Sequence, residues 1–242
     1  SQGDFAETLN HIKKLYRGVT GRLHGAWDVR TAWQILEPGE NRAPLPARLA
    51  VALVVLFLIW EWPEMAALMA LGFEGALRPG DLLYLNRGDL RFPRDPGGTT
   101  QAVFVVLRHS KTRQRRDAAR FQHVRITCAT VAALLDRAFG QRDRAAALFS
   151  WPGEHAARSR PMVARFAAGL RALGVPYGQA QGYTLGGLRG GGITAYFEAT
   201  GDLQLTRWRG RWDSMRSMEH YIQELASHEA FVRLPPAARA RI

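Results

Sequence analysis

A mainly helical chain with one small three-stranded antiparallel sheet, an α+β arrangement, is the fold class this sequence predicts. Three observations predict it. Apolar residues recur at helical spacing over most of the chain, β-type patterning is confined to residues 89–127, and 47% hydrophobic content in 242 residues is enough to bury a core.

Residues 4–37 carry the first helical pattern, through Phe5, Leu9, Ile12 and Leu15 and then Ala26, Val29, Trp33 and Leu36, interrupted at Gly18 to Gly25. Glu37-Pro38-Gly39-Glu40-Asn41 breaks the chain, with Pro44 and Pro46 extending the break. This divides the chain into residues 1–42, the last helices of an N-terminal helical domain plus linker, and residues 43–242 with a C-terminal tail. Ser1-Gln2-Gly3 reads as a cleavage scar, which implies a fragment of something longer.

From Ala47 the chain is continuously apolar. The run Leu49 to Trp60 is too short for a bilayer, which takes ~20 residues, and reads as a buried helix. Pro63 suits the first position of a second helix. Gly72 to Gly80 reads as a loop, and Asp81 as the cap of a short helix over Leu82 to Leu85. Strands are expected at Asp89 to Phe92, Ala102 to Leu107 and Phe121 to Thr127, the first two joined by a Pro/Gly turn. Helices follow at Thr130 to Phe139, Pro161 to Leu173, Gly191 to Ala199, Leu203 to Arg207 and Met215 to Ser227. Gly201 is placed to end one of them and Asp202 to start the next.

Charge gives the first functional clue. Lys+Arg is 33 against 21 Asp+Glu, a formal +12 with a pI near 10.9. That surplus favours a polyanionic partner, because each phosphate contact releases condensed counterions. The single cysteine, Cys128, excludes an internal disulfide and a cysteine-rich zinc site, and the seven histidines show no metal-ligand spacing. Lys13, Lys14 and Lys111 are the only lysines, so Lys111 stands out among thirty arginines.

The informative segment runs Y-T-L-G-G-L-R-G-G-G-I-T-A-Y from Tyr183 and ends at R-G-R-W-D-S-M-R-S-M-E-H-Y. Arg189 follows a glycine-rich turn and opens a helix. Trp212 lies 23 residues on, and Tyr221 lies 9 beyond it. Upstream stand A-L-R-P-G-D, with Arg78, and the basic loop S-K-T-R-Q-R-R, with Lys111. Attack on a phosphodiester piles negative charge on the non-bridging oxygens. Two rigid guanidiniums from separate segments can hold those oxygens better than lysines can. A tyrosine nucleophile stores the bond energy in a phosphotyrosine link and needs neither metal nor ATP. A lysine can be tuned to release a proton to the leaving oxygen, which arginine cannot.

Over about residues 43–226 these four motifs, in this order, resemble the catalytic domain of the tyrosine recombinases, the phage-integrase superfamily. The resemblance implies the tyrosine-recombinase fold, with Tyr221 as nucleophile, Arg78 and Arg189 as phosphate clamp, Lys111 on a β-hairpin as general acid, and Trp212 as the accepted variant of a histidine. It also implies a histidine three residues before Arg189, where this chain has Gly186. A compensating water or side chain (Thr184, His109 or His220), a slow enzyme, a degenerate site and a deliberate inactivation are the alternatives this leaves. The L-R-G-G-G-I-T-A stretch resembles eukaryotic mobile-element recombinases of the Crypton kind, which places the protein in the nucleus. Otherwise the expectation is cytoplasm or nucleoid.

The implied partner is double-stranded DNA, engaged by a homo-oligomer (a tetramer on two duplexes), with no membrane and no small-molecule cofactor. Arg108, Lys111, Arg113, Arg115, Arg116, Arg120 and Arg125 form one basic group opposed by Asp117 alone, and Arg207, Arg209, Arg211 and Arg216 a second. Both groups are expected on DNA phosphates, and the tail after Tyr221 is placed to dock on a neighbouring protomer. The function this implies is a site-specific recombinase or integrase-type transposase working through a 3′-phosphotyrosyl intermediate. Two alternatives are a type IB topoisomerase and a DNA-binding relic.

Overall fold

In the computed structural model the described residues are 1–37, 43–95, 101–108, 122–149, 155–178, 182–215, 218 and 221–242. The chain divides into two compact units, Ser1–Asn41 and Arg42–Ile242. The first is a helical hairpin of α1 (Gln2–Leu15) and α2 (His24–Leu36), bridged by a 3-10 turn over Arg17–Arg22. Phe5 packs on Trp33 at 6.3 Å between ring centroids, and the Gln2 side chain donates to the carbonyls of Trp33 and Glu37.

The second unit is built around α3 (Ala47–Ile59) and α4 (Pro63–Glu74). Leu49, Leu53 and Phe57 of α3 are fully buried. Its opposite face is not, since Val51 is 63% and Ile59 69% exposed. The apolar run expected to be a buried helix is therefore buried on one side only. Helix α4 is the central element: every residue from Met65 to Gly72 is buried. Pro63 at its start fits because a first-turn N–H has no helical partner to lose.

Helix α5 (Pro79–Leu83) begins earlier than the sequence suggests, with Arg78 as its N-cap. Asp81 is therefore its third residue. Its carboxylate reaches back to accept the Arg78 backbone N–H at 3.0 Å, rather than capping a helix that follows it. The sheet comprises β1 (Leu90–Arg91), β2 (Val103–Leu107) and β3 (Gln122–Ile126), in that order and antiparallel throughout. Val103, Val105, Leu107, Val124 and Ile126 turn inward, while Phe104, His123 and Arg125 face outward, as period-two alternation requires. Helices α6 (Ala129–Phe139), α7 (His155–Ala172), α8 (Gly187–Thr200) and α9 (Leu203–Gly210) follow. Gly201 ends α8 in the left-handed conformation (φ 63°), and the Asp202 side chain caps α9 by accepting from Leu205 N–H at 2.9 Å.

Two further differences bear on the site. A continuous helix over Met215 to Ser227 was expected, but Tyr221 lies in a turn, its N–H donating to Met218 O at 2.7 Å. Helix α10 (Glu224–Val232) begins after it. The tail does not project: α11 (Pro236–Arg239) returns to its own core, where Leu234 and Ala238 are buried and Arg241 donates to Ala172 O. In this structure the segment expected to dock on a neighbour packs within the same chain.

The glycine run in α8 is a packing device. A Cβ on Gly191 would lie 2.0 Å from Leu45 O, and one on Gly192 would lie 2.0 Å from Phe73 O. Only bare backbone lets α8 press against the chain leading into α3 and against the end of α4. Gly192→Ala is therefore expected to lower stability by about 1–3 kcal/mol, the usual cost of overpacking. A shift of several degrees in thermal unfolding reads this out. A Tm within about one degree of the parent would mean the two helices can separate freely.

Candidate phosphate-binding site

The site assembles where the loop before α5, the start of α8 and the turn after α9 meet. Arg189 sits in the first turn of α8 and is 2% exposed. Its Nη1 donates to Ala76 O at 3.2 Å and its Nη2 to Gly210 O at 2.6 Å. Its Nε is buried with no partner among the described residues. The guanidinium is roofed by aromatic rings, 4.5 Å from the Trp212 centroid and 5.4 Å from that of Tyr221. Those two rings lie 4.8 Å apart.

Arg211 is the third cation of the cluster. It terminates α9 in the left-handed conformation (φ 58°), an uncommon state for a residue with a long side chain. That twist turns its side chain inward. Nη1 donates to Gly75 O at 3.1 Å and Nη2 to Ala76 O at 3.0 Å. The Ala76 carbonyl therefore serves Arg189 and Arg211 together. Ala76 itself has φ 47°, a second strained position, and it lies two residues before Arg78. Arg78 completes the cluster and is more accessible than Arg189, its side chain 28% exposed and 4.0 Å from Asp81.

Electrostatics follow from this crowding. Burial drives the Arg189 pKa down to about 9, the charges of Arg211 and then Arg78 push the same way, and Tyr221 and Asp81 push back. Burial likewise lowers Arg211 to about 10, with Asp81 opposing and Arg78 and Arg209 adding to the shift. Both remain cationic at neutral pH. Asp81 is the carboxylate that opposes these charges. Three guanidiniums against one carboxylate leave a surplus of positive charge in a low-dielectric place, the condition an incoming anion relieves.

Other expected residues take different positions. Arg209 was expected on phosphate, yet it is 9% exposed and turned inward. It pairs with Glu74 at 2.9 Å and donates to the carbonyls of Glu74 and Arg125. Its donors tie α9 to α4 and β3, so it is corrected to a structural clamp. Arg211, also expected on phosphate, binds backbone carbonyls within the cluster instead. Arg108 lies at the foot of the β2–β3 loop and pairs with Asp89. Arg207 is half-buried on α9. Lys111, Arg113, Arg115, Arg116, Arg120, Arg216, His109 and His220 lie outside the described residues. Gly186 is the residue just before α8, with φ −63° and ψ −25°. Nearby, the Thr184 hydroxyl is buried and lacks a hydrogen-bond partner among the described residues. No three-ligand metal cluster occurs among the described residues, and no helix among them is long and apolar enough to cross a membrane.

Sequence reasoning missed Ala76, Asp81's true role and Gly210. Gly210 carried a signal, since it stands two residues before Trp212: a Cβ there would strike the indole at 1.6 Å. Ala76 carried none, because nothing in the residue type announces a positive φ.

No protein-family model matches this chain, and no curated protein matches it by sequence. Solved structures do. The chain is similar to the XerA recombinase, with TM-score 0.54 and 15% identity over 81% of this chain and 65% of that one. It is also similar to a lambda integrase dimer bound to a COC′ core site, with TM-score 0.55 and 13% identity over 93% and 65%. A second lambda integrase structure on that core site gives TM-score 0.54 and 15% identity over 93% and 80%. The fold is that of the tyrosine-recombinase catalytic domain. The chain spans 65% of the length of the first two of these proteins. Within that fold the Arg189–Trp212–Tyr221 stack sits on α8 and on the turn between α9 and α10.

An anion entering this recombinase-fold site stabilises the folded state by mass action. Millimolar vanadate, a phosphoryl mimic, is expected to raise Tm by several degrees, and Arg189→Ala to abolish most of that rise. An equal rise in the variant would place the anion elsewhere.

Proposed function

We propose that this chain is the catalytic domain of a DNA recombinase or integrase that cleaves and rejoins DNA through a phosphotyrosine at Tyr221. The observation that carries this reading is the meeting of Arg78, Arg189, Arg211, Trp212 and Tyr221 from four separate segments around one buried cationic point.

The chemistry runs as follows. The scissile phosphate enters from the side of Arg78, the more open guanidinium, and displaces the Tyr221 ring from its place over Arg189. The Tyr221 phenol gives its proton to water as its oxygen attacks phosphorus, the P–O5′ bond breaks, and the 3′ end is left on the tyrosine. The charge that develops on the non-bridging oxygens falls to Arg78 and to Arg189, the latter oriented beforehand by the Ala76 and Gly210 carbonyls. Lys111 supplies the proton to the leaving 5′ oxygen, and Trp212 holds the tyrosine-bearing turn and offers its indole N–H to phosphate. Attack by a second 5′ hydroxyl reverses these steps on a partner strand. Strand exchange of this kind requires several protomers on two duplexes, which supports a tetramer as the working assembly. The L-R-G-G-G-I-T-A stretch supports a mobile-element transposase of the Crypton kind as the finer assignment.

A second reading, a DNA-binding relic, is favoured by Gly186, which leaves no imidazole three residues before Arg189. A nicked suicide duplex separates the two. A covalent adduct that Tyr221→Phe abolishes is expected, with Arg189→Ala slowing its formation roughly 10²–10³-fold, the cost of removing one oxyanion donor. DNA binding should weaken far less. Salt-sensitive binding without any adduct, even in Gly186→His, would establish the relic. Relaxation of supercoils without strand exchange would point to a topoisomerase.

A further inference from the structure

The outward face of the sheet carries a second feature that the cleavage site does not use. In the β1–β2 register Arg91 stands opposite Phe104, and in the β2–β3 register Arg125 stands opposite Phe104. Phe104 thus has an arginine at the paired position on each neighbouring strand, and the Arg91 side chain is braced by donating to Gly88 O at 2.6 Å. One row further on, His123 lies 6.4 Å from the Phe104 ring and 6.3 Å from that of Trp208 on α9. Trp208 is 64% exposed. Leaving a large aromatic in water forgoes the free energy of burying it, and in this case three rings form a continuous row. The row is also held rigid. Arg209, adjacent to Trp208, donates to the carbonyl of Arg125 on β3, and α9 leads directly to Gly210, Arg211 and Trp212 of the cleavage site.

We propose that this face is a stacking platform for unpaired nucleotides of a DNA strand, with Trp208 and His123 receiving bases and Arg91 and Arg125 the adjoining phosphates. Every base has a π-face, so such a surface binds a single strand without reading its sequence, and cations beside it complete the match. Duplex DNA buries its base faces in its own stack and cannot use the rings. The inference rests on the strand-transfer reading in one respect: between cleavage and rejoining, that chemistry leaves nucleotides unpaired close to Tyr221, and a platform tied to the same turn would hold them.

The test compares a labelled single-stranded oligothymidine with a blunt duplex, by fluorescence anisotropy, on the full chain. Trp208→Ala is expected to weaken single-strand binding about tenfold, within the range for losing one stacked base, while duplex binding changes less than about twofold. Trp208→Phe, which keeps a ring, is expected to recover most of the loss, and an unchanged Tm confirms that the fold is intact. Single-strand affinity unaffected by Trp208→Ala, with duplex binding normal, overturns the platform and leaves the recombinase reading standing. Equal losses on both nucleic acids show a general phosphate contact and overturn it too. Failure of the parent chain to bind either one overturns both readings.

Discussion

The arginine cluster depends on one backbone carbonyl held in an unusual direction. Ala76, at φ 47°, aims its oxygen between Arg189 and Arg211, which share it at 3.2 and 3.0 Å. Without that acceptor, two buried guanidiniums would face each other with too few partners, and like charges in a poorly screened place repel strongly. The strain at Ala76 costs on the order of 1 kcal/mol or more. The same short loop carries Arg78 two residues later. Its position therefore follows from the contact that holds the other two arginines.

The glycines acquire a physical reading from the same geometry. In the sequence, the run beside Arg189 reads as a glycine-rich turn that opens a helix. In the structure Gly191 and Gly192 face Leu45 and Phe73 across helix contacts too close for any Cβ. This close approach seats the first turn of α8 deeply enough to bury Arg189. Gly210 acts on the opposite side, leaving space for the Trp212 indole while its own carbonyl accepts from Arg189. Packing and electrostatics are thus coupled: the helices must approach closely before the guanidinium can be desolvated.

How much of this was legible beforehand varies with the kind of signal. The sheet and most helices followed from periodicity, and Arg78, Arg189, Trp212 and Tyr221 were legible because order and spacing survive in the one-dimensional string. Boundaries were less so. Helix α8 begins at Gly187 because tertiary packing overrides the poor propensity of glycine, and Tyr221 leaves the helical pattern for a turn. The partition of arginines was least legible of all. Arg207, Arg209 and Arg211 share one residue type at alternate positions. Arg209 nevertheless pairs inward with Glu74, 135 residues distant, and Arg211 is turned inward by a left-handed twist. Neither long-range pairing nor positive φ is encoded in a charge run.

The inward commitment of Arg209 and Arg211 changes how the large net charge should be understood. A formal +12 suggests a surface that attracts DNA everywhere. Yet Arg87, with Asp95 and the Gly140 carbonyl, and Arg209, with Glu74, spend their donors inside the protein. The Arg87 guanidinium holds the Asp95 carboxyl below the usual range, which marks the pair as structural. Arginine suits this internal work because its planar fork serves several carbonyls at once while remaining charged. Counting cations therefore overstates the DNA-facing charge. Among the described residues the cations free to meet an outside anion are a smaller set, with Arg78 and Arg125 among them.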